Sequence, residues 1–461
     1  MSRRAVAVVV AGLIAAGTGS AVAYLELVGN PFEPPPPPAA LNPMPVAEPE
    51  PPALVLATGE PESPTGDQID DLLDDAIDQS GLSGRTGVIV TELSTAEVLY
   101  ERSADVPLTP ASTLKLLTAA AVLNVLGPEA RFTTSVVPGE ASDEIVLFGG
   151  GDPTLSTDDP LMRGSTSLAE LAEQTAGALE DSGLDRVVLG FDDSLFTGPA
   201  VNPSWRSTYV SGGVAAPVSA LAVDGGRATP GFAARTGDPA LAAASAFVRL
   251  LTDQGIAVEG TPQRVVAPSN ATPIAAIESR PLADIVEYVI ASSDNDMAEI
   301  LARHVALGLG RPGSSDEAAH AITEVLDGLG IDVSAMTVLD GSGLARDNAV
   351  PAQAMTEVLA VAADPANAHL RPVITGLPVA AFNGTLRERV EDAPGQVRAK
   401  TGTLTGVHSL AGVIVGDGGV AYAFALVSND AGNALQARAA LDEVAAALAG
   451  CGCEAPPSEP G

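Results

Sequence analysis

The chain has 461 residues and a formal charge of −35, with 58 acidic side chains against 23 basic ones. That excess argues against nucleic acid as a partner and against direct adhesion to anionic lipid. The length suits two or three domains with full cores, and with 46% hydrophobic but only 3% aromatic residues those cores must rely on Ala, Val and Leu.

Residues 1–28 read as an export signal or a membrane anchor: Arg3-Arg4, an apolar run over 5–16, then small residues ending Ala21-Val22-Ala23. Cleavage after Ala23 would release the protein, while apolar character reaching Leu25 is also roughly the length that spans a bilayer. Both outcomes stay open, and either places the bulk of the chain outside the cytoplasm. Residues 29–65 form a Pro-rich linker with five consecutive prolines at 34–38. Such a stretch cannot bury apolar area and is expected to be a semi-rigid polyproline-II-like spacer.

The folded region begins near Gly66. Ile69, Leu72, Leu73 and Ile77 predict a helix over 67–79, and strands follow at 86–93 and 97–101. Thr109-Pro110 predicts a helix start, with a capping threonine and proline at the first helical position. Leu114, Leu117, Val122 and Leu126 carry that helix to Gly127. Ser112 falls in its first turn, where backbone N–H groups are unpaired, and Lys115 at i+3 shares its face. Lys115 and Lys400 are the only lysines in the chain. Arginine stays protonated at physiological pH, whereas lysine can be deprotonated and used as a base, so chemistry is expected at these two positions.

Residues 66–132 are read as the first part of one domain, 133–271 as an inserted mixed α/β domain, 272–450 as the second part, and 451–461 as a tail. Strands are expected in the insertion at 144–147, 186–189 and, on a helix edge, 247–251. Its Gly149-Gly150-Gly151-Asp152-Pro153 is turn-rich and not a phosphate loop, because no G-K-[ST] follows. A helix over 281–291 breaks at Ser292-Ser293-Asp294-Asn295 and restarts at Asp296, whose D-x-x-E spacing to Glu299 predicts a cap. Ser293-Asp294-Asn295 thus joins two helices, where a rigid scaffold can present polar groups to a cleft. Strands at 396–404, 406–415 and 420–427 precede a helix at 434–448. Lys400-Thr401-Gly402-Thr403 lies in the first of these strands, and Gly402 leaves the strand edge open to an extended peptide. Cys451 and Cys453 allow a strained local disulfide or an unstructured tail. The histidines 304, 320, 369 and 408 show no ligand spacing, so no metal site is expected.

Three elements now stand in order: Ser112-x-x-Lys115, Ser293-Asp294-Asn295 and Lys400-Thr401-Gly402-Thr403. On a helix start, an inter-helix loop and a strand, they form the set used for serine acyl transfer by β-lactamases and penicillin-binding proteins. Ser112 is the expected nucleophile and Lys115 its base, its pKa lowered by the Lys400 charge and the helix end. Ser293 relays a proton to the leaving amine, and Asn295 positions Lys115 and the substrate amide. Lys400, Thr401, Gly402 and Thr403 bind a substrate carboxylate. The backbone N–H groups of Ser112 and Thr403 are the expected oxyanion hole.

The sequence resembles the D-alanyl-D-alanine carboxypeptidase/endopeptidase family, the class C low-molecular-mass penicillin-binding proteins of peptidase family S13. The resemblance runs from about Gly66 to Leu448. The first two motifs stand 181 residues apart, which leaves room for the family's insertion. Stretches similar to family elements are Gly149 to Leu155, Asp192-Asp193-Ser194-Leu195-Phe196, Asp340-Gly341-Ser342-Gly343-Leu344 and Gly384-Thr385-Leu386. Their glycines are read as turn-formers rather than substrate contacts. The Pro-rich linker and the anchor-like start depart from a freely soluble member.

The resemblance implies an α+β penicillin-binding, β-lactamase-like transpeptidase fold: an antiparallel sheet flanked by helices, with an inserted mixed α/β domain. It implies hydrolysis of D-Ala-D-Ala in peptidoglycan stem peptides, acylation of Ser112 by β-lactams, and action outside the cytoplasm; D,D-endopeptidase activity and single-pass membrane association stay open. It implies no metal or organic cofactor. A β-lactamase or esterase on the same scaffold, or a catalytically decayed wall-binding protein, are the alternatives. A Ser-His-Asp hydrolase is disfavoured, as no G-x-S-x-G occurs.

Overall fold

The computed structural model describes residues 66–79, 82, 84–158, 162–229, 233–416 and 419–450. The export or anchor segment, the Pro-rich linker and both cysteines lie outside the described residues. Helix α1 (Gly66–Gln79) leads into strands β1 (Arg85–Glu92) and β2 (Val98–Arg102). A 3₁₀ turn (Ala111–Thr113) and helix α2 (Leu114–Leu126) follow. The chain then makes β3 (Thr133–Pro138), β4 (Glu144–Phe148), α3 (Leu168–Asp181), β5 (Arg186–Asp192), α4 (Pro239–Asp253), β6 (Ala257–Arg264) and β7 (Ala275–Glu278). Helices α5 (Leu282–Ser292), α6 (Asn295–Gly308), α7 (Ser315–Gly328) and α8 (Ala352–Ala363) come next. Strands β8 (Val397–Leu404), β9 (Val407–Val415) and β10 (Ala421–Asn429) and helix α9 (Ala434–Ala449) close the fold.

Two five-stranded sheets result. The first has the order β2-β1-β10-β9-β8, antiparallel throughout, and the second the order β6-β5-β4-β3-β7. The second sheet is mixed, parallel from β4 through β6 and antiparallel where β3 meets β4 and β7. The expected α+β class, with one antiparallel sheet among helices and a mixed α/β portion, is thus observed. Side chains alternate across a strand, so β10 feeds two cores. Ala423, Ala425 and Val427 pack with α2 and the helices α5 to α8, while Tyr422, Phe424 and Leu426 pack under α1 and α9. With both faces covered, every residue from 422 to 429 on β10 is buried.

Three expectations are corrected. Residues 247–251 belong to α4, not to a strand. Asp238 caps that helix by accepting from Leu241 N–H, Pro239 takes its first position, and its Ala-rich face is buried. Thr109 caps nothing: its hydroxyl donates to Arg346 O at 2.8 Å, its N–H donates to Asn429 Oδ1 at 2.9 Å, and α2 starts later, at Leu114. At the second helix restart the cap is Asp294, whose carboxylate accepts from Met297 N–H at 3.0 Å, because Asn295 is already helical. Asp296 and Glu299 are thereby released for other work.

Candidate active site

Helix α2 is buried from residue 114 to residue 123 on all sides, as a central helix should be, and it holds its first turn rigidly in the core. Ser112 precedes it on the 3₁₀ turn. The residue before, Ala111, has φ of +51°, in the left-handed region that a residue with a side chain rarely adopts. Close packing holds it there. A Cβ on Gly343 would lie 1.9 Å from Ala111 O, and one on Gly402 would lie 2.8 Å from Pro110 O and 3.1 Å from Ser112 N. Ser409 Oγ and Thr113 Oγ1 both donate to Pro110 O, at 2.6 and 2.7 Å. Ser112 is therefore pressed between β8, β9 and the turn around Gly343.

The Lys115 amine is 1% exposed and donates to three oxygens: Ser112 Oγ at 3.0 Å, Asn295 Oδ1 at 2.8 Å and Ser342 O at 2.7 Å. Its pKa is lowered to about 8 because burial disfavours the ammonium, against the opposing pull of Asp340, Glu299, Asp294 and Asp296. Burial, rather than the Lys400 charge or the helix end, is thus the main cause, which corrects the expectation. Lys400 is fully buried and donates to Ser293 Oγ and to Thr401 O, both at 2.8 Å. Burial pushes its pKa well below the usual lysine range, and the cations Lys115 and Arg389 add to that. Ser293 has φ of +60° at the end of α5, another strained residue at a site of polar convergence.

Strand β8 is an edge strand whose partner on one side is β9. On its open side, Ala380 N–H donates to Val397 O and Ala399 N–H to Pro378 O. N–H and C=O groups of alternate residues point the same way across a strand, so the backbone groups of Thr401 and Thr403 also face away from β9. Ser112 N lies close to Gly402, between these two threonines, where a Cβ on that glycine would be 3.1 Å from it. The Thr401 hydroxyl donates to Thr385 Oγ1 at 2.9 Å.

All eight candidate residues (Ser112, Lys115, Ser293, Asn295, Lys400, Thr401, Gly402 and Thr403) thus gather at one place. Several groups that hold them had no part in the site on the sequence reading. Ser342 contributes only its carbonyl. Asn295 Nδ2 donates to Val214 O at 3.0 Å, which orients its Oδ1 toward Lys115. Asp296 accepts from Ala216 N–H at 2.5 Å and from Arg235 at 2.8 Å, a buried ion pair. Glu299 accepts from Gly341 N–H and Ser342 N–H at 3.0 and 2.8 Å. Asp340 accepts from four donors, among them Trp205 Nε1 at 2.9 Å and Gly343 N–H at 3.0 Å.

The profile of the D-Ala-D-Ala carboxypeptidase 3 (S13) family matches residues 69–240 and 228–448. The chain belongs to that family. It is therefore a serine-type D-Ala-D-Ala carboxypeptidase-family hydrolase. A carboxypeptidase, DacB, of Mycolicibacterium smegmatis is 37% identical over 89% of this chain and 92% of its own length. A carboxypeptidase of Mycobacterium tuberculosis is also 37% identical, over 82% of each chain. The D-alanyl-D-alanine carboxypeptidase of an Actinomadura species is 30% identical over 82% of this chain and 83% of its own. The crystal structure of penicillin binding protein 4 from Haemophilus influenzae superposes with a TM-score of 0.69 at 22% identity, over 82% of this S13 chain and 98% of that one. That likeness supports the fold.

Proposed function

We propose that this S13 peptidase is a serine D,D-carboxypeptidase that hydrolyses the terminal D-Ala-D-Ala bond of peptidoglycan stem peptides outside the cytoplasm, through a Ser112 acyl-enzyme. The observation that carries the reading is the buried Lys115 amine, bonded at once to Ser112 Oγ and Asn295 Oδ1. A neutral amine here donates to Asn295 and Ser342 O and keeps its lone pair for the Ser112 proton.

In the first step Ser112 Oγ attacks the scissile carbonyl carbon while Lys115 takes its proton. The carbonyl becomes an oxyanion facing the N–H groups of Ser112 and Thr403. Collapse breaks the C–N bond, and the leaving amine receives a proton through Ser293, which Lys400 orients. Water then hydrolyses the ester, with the same groups accepting and returning a proton. The terminal carboxylate belongs with Lys400, Thr401 and Thr403: Lys400 is buried with cations nearby, so an anion there is favoured. A β-lactam, a cyclic amide with a neighbouring carboxylate, fits the same path.

Fluorescent penicillin labelling of the wild type, Ser112→Ala and Lys115→Arg chains tests this. A stable adduct is expected in wild type alone. Equal labelling of all three would sink the proposal, and rapid turnover of the wild-type adduct would mark a β-lactamase instead.

A further inference from the structure

Of the three oxygens around the Lys115 amine, only the Ser112 hydroxyl can also give up a proton. Asn295 Oδ1 and Ser342 O only accept, so together they fix where the lone pair points. Asn295 is oriented by Val214 O. Ser342 O belongs to the turn at residues 340–343, outside any helix or strand, and needs its own support.

The hydrogen bonds of that turn lead to Glu299. Its Oε1 accepts from Gly341 N–H at 3.0 Å and from Ser342 N–H at 2.8 Å. Glu299 stands one helical turn after Asn295 on α6, so the two share a face. It is 3% exposed, and burial raises its pKa above the usual carboxyl range. Gly341 brings the turn hard against α6, where a Cβ would lie 2.4 Å from that of Ala302. From the other side Thr118, three residues after Lys115 on α2, donates to Gly341 O at 2.8 Å. A buried carboxyl is a costly way to satisfy two neutral amides. Its placement makes sense if the carbonyl beside them must not move.

We propose that Glu299 is a positioning residue for acylation: it holds the Ser342 carbonyl on the Lys115 amine and so aims that amine at Ser112. The inference rests on Lys115 being the general base. α6 then supplies both fixed acceptors of the base, one directly through Asn295 and one through the amides that Glu299 holds.

The test is the penicillin acylation rate constant per folded molecule, for the full chain and for Glu299→Gln, Glu299→Asp and Glu299→Ala. Gln keeps an acceptor oxygen at the same reach, and its rate stays within about three-fold of wild type. Asp is one methylene short and Ala has no acceptor. Both lose about 100-fold, the scale of a 1 Å misplacement, at an unchanged pre-acylation dissociation constant. A role in packing alone would lower the melting temperature and leave the rate per folded molecule intact. Asp and Ala variants within about three-fold of wild type, or a Gln variant as slow as Ala, would overturn the inference. If the Ala variant does not fold, Asp against Gln decides. A wild-type chain that takes no penicillin overturns the acylation reading itself, whereas normal wild-type labelling with indifferent Glu299 variants overturns only this inference.

Discussion

At the scale of single residues, the two lysines divide one problem. Each is buried, and each amine is held by hydroxyl and carbonyl oxygens rather than by a carboxylate. Lys115 with a pKa of about 8 is neutral in a useful fraction of molecules at neutral pH. Below that value the neutral fraction falls tenfold per pH unit. The acylation rate constant should therefore fall with unit slope below about pH 8 and level off above it. Stopped-flow acylation from pH 6 to pH 9 checks this; a flat profile would assign the base to another group. Lys400 makes a different prediction. A carboxylate placed beside it raises its pKa, so binding of a carboxylate-ended peptide to Ser112→Ala takes up protons wherever the Lys400 amine is neutral in the free chain. Calorimetry in buffers of different ionisation enthalpy should detect that uptake, and the amide-capped peptide should show none.

At the scale of elements, the site is a meeting of one strained turn, one inter-helix loop and one strand edge. Gly402 is where the strand comes hard against the turn that carries Ser112. A methyl group there would lie 2.1 Å from Ser409 Oγ, besides its close approach to Pro110 O and Ser112 N. Ser409 can rotate, but the two backbone atoms cannot yield without displacing Ser112. Gly402→Ala should therefore cost about 1–3 kcal/mol of stability and about 100-fold in acylation, read by melting temperature and penicillin labelling; near-normal labelling would show that the turn is softer than its packing implies. The same element scale separates what was legible in the sequence from what was not. Helix α1, the central strands and the three motifs were readable because periodicity and turn residues are local signals. Gly402 was read as a point of backbone access, whereas the constraint that the structure shows there is its close contact with Pro110 and Ser112. The left-handed Ala111 gave no signal, since nothing in an alanine announces a positive φ. The Ser342 carbonyl gave none either, because a backbone acceptor has no side-chain signature. Glu299 was visible only as half of a cap that Asp294 provides instead, and residues 247–251 looked like a strand because Phe247, Val248 and Leu251 outweighed the Asp238-Pro239 start upstream.

At the scale of the whole molecule, the mixed sheet is tied to the site through α6. Val214 O receives Asn295, Ala216 N–H and Arg235 hold Asp296, and His304 Nε2 lies 2.9 Å from Gly151 O. Gly151 belongs to the glycine-rich loop that also carries Asp152. That carboxyl is buried, accepts from Thr154 N–H at 2.8 Å and Thr154 Oγ1 at 2.7 Å, and has its pKa raised from 3.8 to about 6 by burial. A carboxyl whose folded pKa is raised binds more protons folded than unfolded between those two values. Its contribution to stability is therefore full below pH 3.8 and lost once the pH passes about 6. Asp152→Asn keeps the acceptor oxygen for Thr154 and cannot ionise. Melting curves from pH 4 to pH 8 should show the variant gaining on wild type up to about pH 6 and running parallel to it above. Curves parallel over the whole range would mean that Asp152 ionises normally and that the loop is open to water. Asp152 thus makes the fold less stable as pH rises to about 6, below the pH of about 8 at which the Lys115 amine becomes mostly neutral.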